Sequence, residues 1–233
     1  RDLHLSIRRQ RQMCIRDRDQ LHEKLRKHVD AQIKEWDSFV YASENGFYQG
    51  FEEIKIDGCR PTEKRFARYK IEDYLSRDKI ALDIGCNCGF LTIYLSKFLK
   101  HIDGVEINPY LTSIGKDTKE FLEIVNLDFH TSGFEEFQTD KKYDIIFSLA
   151  NDNTIDGKTK FTFIEYIKKI QDLLKPDGLL MWETVSMDTY DPELFDPKRK
   201  VFEEFFNLLE ERMVKSEYPV NVPERRFLVL KKK

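Results

Sequence analysis

No apolar stretch in this 233-residue chain approaches the roughly 18 residues that a membrane-crossing helix needs, and the N-terminus lacks the apolar core of a secretory signal. Cysteine is scarce: Cys14, Cys59, Cys86 and Cys88 are all there are. Their spacing matches no zinc motif, because Cys86-x-Cys88 would need two further ligands and no nearby Cys/His pair supplies them. No metal is therefore expected, and the thiols are expected to be small buried residues in a cytoplasmic, reducing setting. Internal repeats and low-complexity tracts are absent too. Nor is there a large excess of charge: 39 basic against 42 acidic residues give −3.

That charge is unevenly placed. Residues 1–18 hold six Arg and two Asp, have no usable periodicity and begin without Met. This string resembles translated sequencing-library adapter and is expected to be a non-native or disordered tail; a basic arm for nucleic acid is the competing reading. Without it the chain carries 33 basic and 40 acidic residues, a net charge of −7. An acidic body disfavours tight nucleic-acid binding, which depends on neutralising phosphates.

What is present suffices for one core: 40% of residues are hydrophobic. From 21 to about 43, Leu21, Leu25, Val29, Ile33, Trp36 and Val40 recur every three or four residues, which predicts an amphipathic helix closed by Asn45-Gly46. Pro61-Thr62 opens a second helix, with Phe66, Tyr69 and Tyr74 facing inward. A helical cap over 19–78 is expected, followed by a second domain over 79–233.

The second domain alternates. Strands are predicted over 80–84, 102–107, 127–130, 144–149, 179–183, 213–218 and 227–231, and helices over 89–99, 109–125, 159–174 and 197–211. Strand–helix alternation implies a parallel sheet with right-handed crossovers. The last two strands, joined by the short Asn221-Val222-Pro223 link, must be antiparallel. The fold class is therefore α/β: a Rossmann-like, seven-stranded, mostly parallel sheet with an antiparallel last strand, plus N-terminal helices.

The segment Leu82-Asp83-Ile84-Gly85-Cys86-Asn87-Cys88-Gly89-Phe90 reads as strand, tight turn and helix start. Glycine permits positive φ and close approach of a ligand, and a helix start offers N–H groups to an anion. The spacing Gly85-x-Asn87-x-Gly89 departs from the dinucleotide fingerprint, whose middle glycine is here Asn87. Glu106, ending the next strand, has the chemistry to accept both hydroxyls of a ribose. An ordinary turn with a solvated Glu is the plain alternative.

With Tyr143-Asp144-Ile145-Ile146-Phe147-Ser148 and Leu173-Leu174-Lys175-Pro176-Asp177-Gly178 added in order, residues from about 79 to 231 resemble the class I S-adenosylmethionine-dependent methyltransferases. The resemblance implies S-adenosylmethionine as cofactor. Gly85, Cys86, Asn87 and Gly89 would lie around its amino-acid end, with Asp83 orienting the turn and Glu106 on the ribose. Gly133 and Phe134 would meet the adenine, since the family's acidic residue after strand three is replaced here by Gly133; Asp128 falls inside the strand. Ser148, Leu149 and Ala150 would pass beneath the methionine portion.

Asp152 and Glu183 are candidate general bases, and Asn151 and Asn153 candidate acceptor ligands. Their plain alternatives are loop-forming and solvated residues. Outside the matched core, Tyr48, Gln49 and the segment from Arg60 to Arg65 hold polar groups able to reach the cofactor carboxylate, which Arg65 could pair bidentately, although a surface arginine is the commoner case; Arg225 and Arg226 precede the last strand, where one could face the pocket. The segment 48–70 distantly resembles methyltransferases that modify tRNA wobble uridine or bacterial glycans. The implied activity is methyl transfer to a small-molecule or glycan acceptor. An RNA (tRNA) methyltransferase, a dehydrogenase and a non-catalytic nucleotide-binding module are the alternatives. No membrane partner is expected.

Overall fold

The computed structural model describes residues 2–43, 46–152 and 158–233, with side chains from residue 17 onward except at 42 and 43. Among these, no helix is long and apolar enough to cross a membrane.

The fold is built on a seven-stranded sheet with a small three-stranded sheet beside it in the cap. In chain order from the cap, the strands are β1 (Ala42–Ser43), β2 (Gly46–Gly50), β3 (Gly58–Pro61), β4 (Ile80–Ile84), β5 (His101–Glu106), β6 (Leu127–Thr131), β7 (Tyr143–Leu149), β8 (Leu174–Glu183), β9 (Phe206–Lys215) and β10 (Glu224–Lys232). The large sheet has the order β6-β5-β4-β7-β8-β10-β9. β4 to β8 pair in parallel, and β10 is antiparallel to β8 and to β9. Strand order reverses between β4 and β7, where open α/β sheets bind ligands.

The helices are α1 (Asp2–Glu35), α2 (Thr62–Tyr69), α3 (Phe90–Ser96), α4 (Pro109–Phe121), α5 (Phe163–Leu173) and α6 (Pro192–Phe205). Period-two alternation sorts the strand side chains between two cores. Ala81, Ile145, Phe147, Met181, Phe227 and Val229 face the cap, α3 and α4. Leu82, Ile146, Leu180, Trp182, Leu228 and Leu230 face α5 and α6.

α1 lies against α4 through part of the spacing read from sequence: Leu21, Leu25 and Val29 are buried, whereas Ile33 is exposed and Trp36 and Val40 fall beyond the helix. Polar pairs fix its register, with Asn108 Nδ2 donating to Gln32 Oε1 at 2.8 Å and His28 Nε2 2.7 Å from Asp117. The helix begins far earlier than position 21, since the arginine-rich segment continues it, and it ends at Glu35, short of 43.

Three further boundaries differ from expectation. The cap is not purely helical: β1, β2 and β3 form a small sheet in which β2 and β3 run parallel, Gln49 opposite Arg60. α6 starts at Pro192, where the Asp191 carboxylate accepts the Glu193 N–H at 2.9 Å, and stops at Phe205. The helix was expected to run over 197–211, but from Phe206 the chain pairs with β10, a gain in backbone hydrogen bonds that outweighs local periodicity. α5 starts at Phe163 rather than 159 because Thr162 and Glu165 close a capping box.

Candidate functional site

A cleft with about 940 Å³ of space between atoms, part of it open to solvent, lies over the carboxyl ends of β4, β5 and β7.

Its best-defined wall is the turn between β4 and α3. Gly85 (φ 64°), Asn87 (φ 57°) and Gly89 (φ 72°) all take left-handed conformations. A Cβ on Gly85 would sit 2.7 Å from Asn151 Nδ2, so the turn has room for backbone alone. Glu106 ends β5 facing this turn. Its Oε2 accepts the Asn87 N–H and its Oε1 the Asn108 N–H, both at 2.9 Å. A carboxylate has about four acceptor positions, so these two bonds orient Glu106 while it still lines the cleft.

The wall is braced from below. Thr92 in the first turns of α3 donates to Asp83 Oδ2 at 2.6 Å, tying helix to strand. Burial pushes the Asp83 carboxyl up to about 6, against the pull of that hydroxyl. From the cap, Gln49 Nε2 donates to the Cys86 carbonyl at 3.2 Å and its Oε1 accepts the Phe90 N–H at 3.0 Å. One buried glutamine thus satisfies two backbone groups of the turn.

The floor is a hydroxyl and amide network. Ser148 Oγ lies 2.8 Å from Asn151 Oδ1 and 2.8 Å from the Tyr166 hydroxyl, which donates to Asn151 Oδ1 at 3.0 Å; Asn151 Nδ2 donates to the Ile84 carbonyl. Phe134 lines the cleft with its ring 5.1 Å, edge on, from Tyr166.

The opposite wall carries charge. Arg60 Nη2 donates to both oxygens of Glu183, at 2.8 and 3.2 Å, and Arg65 Nη2 to Glu183 Oε2 at 2.9 Å. All three are buried, and both arginines line the cleft. Burial would raise the Glu183 carboxyl, but the two guanidinium groups override it and hold it at about 2.

Of the residues expected from sequence, Gly85, Asn87, Glu106, Gly133, Phe134, Leu149, Ala150 and Asn151 line this cleft. Asp83, Cys86, Gly89 and Ser148 lie directly behind them; a Cβ on Gly89 would collide with the Phe129 ring, so that glycine serves packing. The two candidate bases are not brought to the cleft. Glu183 is locked to Arg60 and Arg65 behind it. Asp152 is buried in an ion cluster with Lys198 and Asp188, and burial raises its carboxyl despite that lysine. Asn153 falls outside the described residues. Asp128 pairs with Lys119 at 3.2 Å on the outer edge, Arg225 donates to the Thr184 carbonyl at 2.8 Å behind the site, and Arg226 pairs with Glu211.

Sequence reading missed Tyr41, Ile107, Ser132, Glu135 and Tyr166, all cleft-lining. They come from the cap, from the ends of β5 and β6 and from α5, so no single stretch of sequence groups them.

These residues fit an adenosyl amino acid: a glycine cradle that any Cβ would fill, an oriented carboxylate for a hydroxyl pair, and Val105, Ile107 and Phe134 as apolar surface for a purine.

A family model described as a methyltransferase domain matches residues 59–216. A malonyl-[acyl-carrier protein] O-methyltransferase of Ilyobacter polytropus is 31% identical over 159 residues, covering 59% of this chain and 59% of that protein. A protein of the same name from Bacillus cereus is 24% identical over 138 residues, covering 58% of this chain and 45% of the relative. The chain thus spans about half of the length of these relatives. Among solved structures, the N-methyltransferase NodS of Bradyrhizobium japonicum, in complex with S-adenosyl-L-homocysteine, superposes with a TM-score of 0.55 at 13% identity, over 72% of this chain and 84% of that one. Magnesium protoporphyrin IX methyltransferase of Synechocystis, with S-adenosylmethionine bound, gives 0.55 at 18% identity, over 74% and 78%. By the extent of the family match, and with this sheet order, the chain belongs to the methyltransferase domain family and has the class I S-adenosylmethionine-dependent fold.

Proposed function

We propose that the chain is an S-adenosylmethionine-dependent methyltransferase that modifies an oxygen of a small-molecule acceptor. The observation that carries this reading is the bond between the Asn87 N–H and Glu106, which joins the glycine cradle to the ribose-type carboxylate in one cleft. When bound, S-adenosylmethionine supplies an electrophilic methyl group on a sulfonium. The chain's own contribution is alignment: the turn fixes one end of the ligand, Glu106 another, and the Tyr166–Asn151–Ser148 floor a third. Such positioning is worth roughly 7–11 kcal/mol of barrier.

The acceptor class follows from chemistry together with the relatives. The named O-methyltransferases act on a malonyl group, which offers a carboxylate. An oxygen that is already ionised needs no proton removed as it attacks, and this agrees with Asp152 and Glu183 both being tied into buried ion pairs. Structural likeness also extends to tRNA and rRNA methylases, at 21% identity or below, and that supports the fold alone. Cys59, Cys86 and Cys88 are unpaired, in keeping with a cytoplasmic setting.

The test is methyl transfer. Incubation with methyl-labelled S-adenosylmethionine and a malonyl thioester should yield a labelled methyl ester detected by mass spectrometry. Binding of the cofactor with no transfer to malonyl, succinyl or other acid acceptors, while RNA becomes labelled, would contradict it.

A further inference from the structure

We infer that Gln32 of α1 is a positioning residue for the ligand's hydroxyl pair: through Asn108 it holds the Glu106 carboxylate in place, an inference that rests on the methyltransferase reading of the cleft. Gln32 precedes the segment that matches the methyltransferase domain, residues 59–216, and it does not line the cleft. It acts through other residues, and the path is a chain of hydrogen bonds between buried groups.

Three polar contacts set α1 along α4. Lys24 pairs with Asp117 at 2.8 Å, His28 Nε2 lies 2.7 Å from Asp117, and the Tyr110 hydroxyl donates to Glu35 at 2.8 Å. Between these anchors Gln32 meets the start of α4, where its Oε1 accepts from Asn108 Nδ2 at 2.8 Å. Asn108 is a junction. Its Oδ1 caps α4, accepting the Tyr110 N–H at 3.0 Å and the Leu111 N–H at 3.4 Å. Its backbone N–H donates to Glu106 Oε1 at 2.9 Å. Glu106 is thus held from two sides, by the glycine turn through Asn87 and by α1 through Asn108.

The orientation of the two amides follows from this. With Oδ1 committed to the cap, Asn108 turns its NH2 toward α1, and an acceptor must meet it. Gln32 supplies the oxygen and leaves its own Nε2 buried with no hydrogen-bond partner among the described residues. A buried unpaired donor is costly. Turning the Gln32 amide over would set one NH2 against the other and leave Asn108 unpaired instead. The unpaired donor therefore sits in α1, away from the carboxylate, and Asn108 keeps each bond that fixes it beside Glu106.

Calorimetry on the full chain tests this with S-adenosylhomocysteine and its 2′,3′-dideoxy analogue, which lacks both hydroxyls. Gln32→Met keeps the length of the side chain and loses the acceptor. Gln32→Glu keeps an oxygen facing Asn108 Nδ2. The wild type should prefer S-adenosylhomocysteine by about tenfold or more, as for hydrogen bonds to a charged group. Gln32→Met should lose about fivefold of that preference, the worth of one hydrogen bond, with the dideoxy affinity unchanged. Gln32→Glu should retain the preference, and adding Gln32→Met to Glu106→Ala should cost nothing further.

A merely structural role would weaken both ligands alike and would add to the effect of Glu106→Ala; either result overturns the inference. So does unchanged binding by a Gln32→Met protein that melts cooperatively, or loss of folding in both Gln32 variants. A wild type that binds both ligands equally removes the relay and leaves the cofactor in place. A wild type that binds neither overturns the functional reading itself.

Discussion

The two walls of the cleft are held by different physics. The β4–α3 wall is built from backbone: positive-φ residues, N–H groups donated to Glu106, and a carbonyl and N–H closed by Gln49. The arginine wall is built from long side chains that leave the cap and meet on one buried carboxylate. The first tolerates no added atoms but carries little charge. The second tolerates shape changes but depends on charge balance. A small ligand with an apolar ring, hydroxyls and a charged end needs one of each.

The largest effect expected from breaking this contrast is steric. Gly89→Val should abolish cooperative folding, because its Cβ would enter the Phe129 ring from a backbone conformation that valine avoids. A native-like melting curve would show that the turn is softer than described.

Next comes charge. Glu183→Met should cost about 3–5 kcal/mol of stability, the usual penalty for breaking a buried pair, because it leaves Arg60 and Arg65 buried without their carboxylate; denaturant unfolding reads it. The pH dependence has a definite sign. Glu183 has a folded pKa of about 2 against an ordinary 4.5, so its contribution is present above about 4.5 and lost as pH falls toward 2. The acid limb of a wild-type stability curve should show this loss, and Glu183→Gln should flatten it. An identical acid limb in both proteins would remove the arginine wall from the account.

Glu106→Ala should act on binding more than on folding, weakening S-adenosylhomocysteine by about 1.5–3 kcal/mol, as for a charged hydrogen bond. Smaller still, Tyr166→Phe should cost about 1 kcal/mol of stability, since Ser148 and Asn151 keep their bond to each other. If Tyr166→Phe proved the costlier for cofactor affinity, the floor rather than Glu106 would be the main ligand support.

The same contrast explains what was legible in the sequence. The glycine turn and its terminal acid lie within 24 consecutive residues, Asp83 to Glu106, so they can be read locally, whereas Gln49, which closes the turn from the cap, cannot. The parallel run β4 to β8 and the antiparallel β9–β10 pair likewise follow from alternation and a short link, whereas the insertion of β10 between β8 and β9 does not. The arginine wall spans separations of 123 and 118 residues, and nothing near Arg60 or Arg65 announces Glu183. Glu183 and Asp152 looked like bases because they end or follow strands at the right edge of the sheet. Their buried partners, Arg60 and Lys198, come from the cap and from α6, which local patterns do not place. The end of α6 was misread for a related reason: Phe206 suits either a helix or a strand, and pairing with β10 decides it.

The most direct measurement is a calorimetric titration of the chain and of its Gly85→Val variant with S-adenosylhomocysteine, each first shown to be folded by circular dichroism. The account predicts micromolar binding to the wild type and none to the variant, whose side chain would fill the cradle against Asn151. Equal binding by both proteins, or no binding by either, would contradict it.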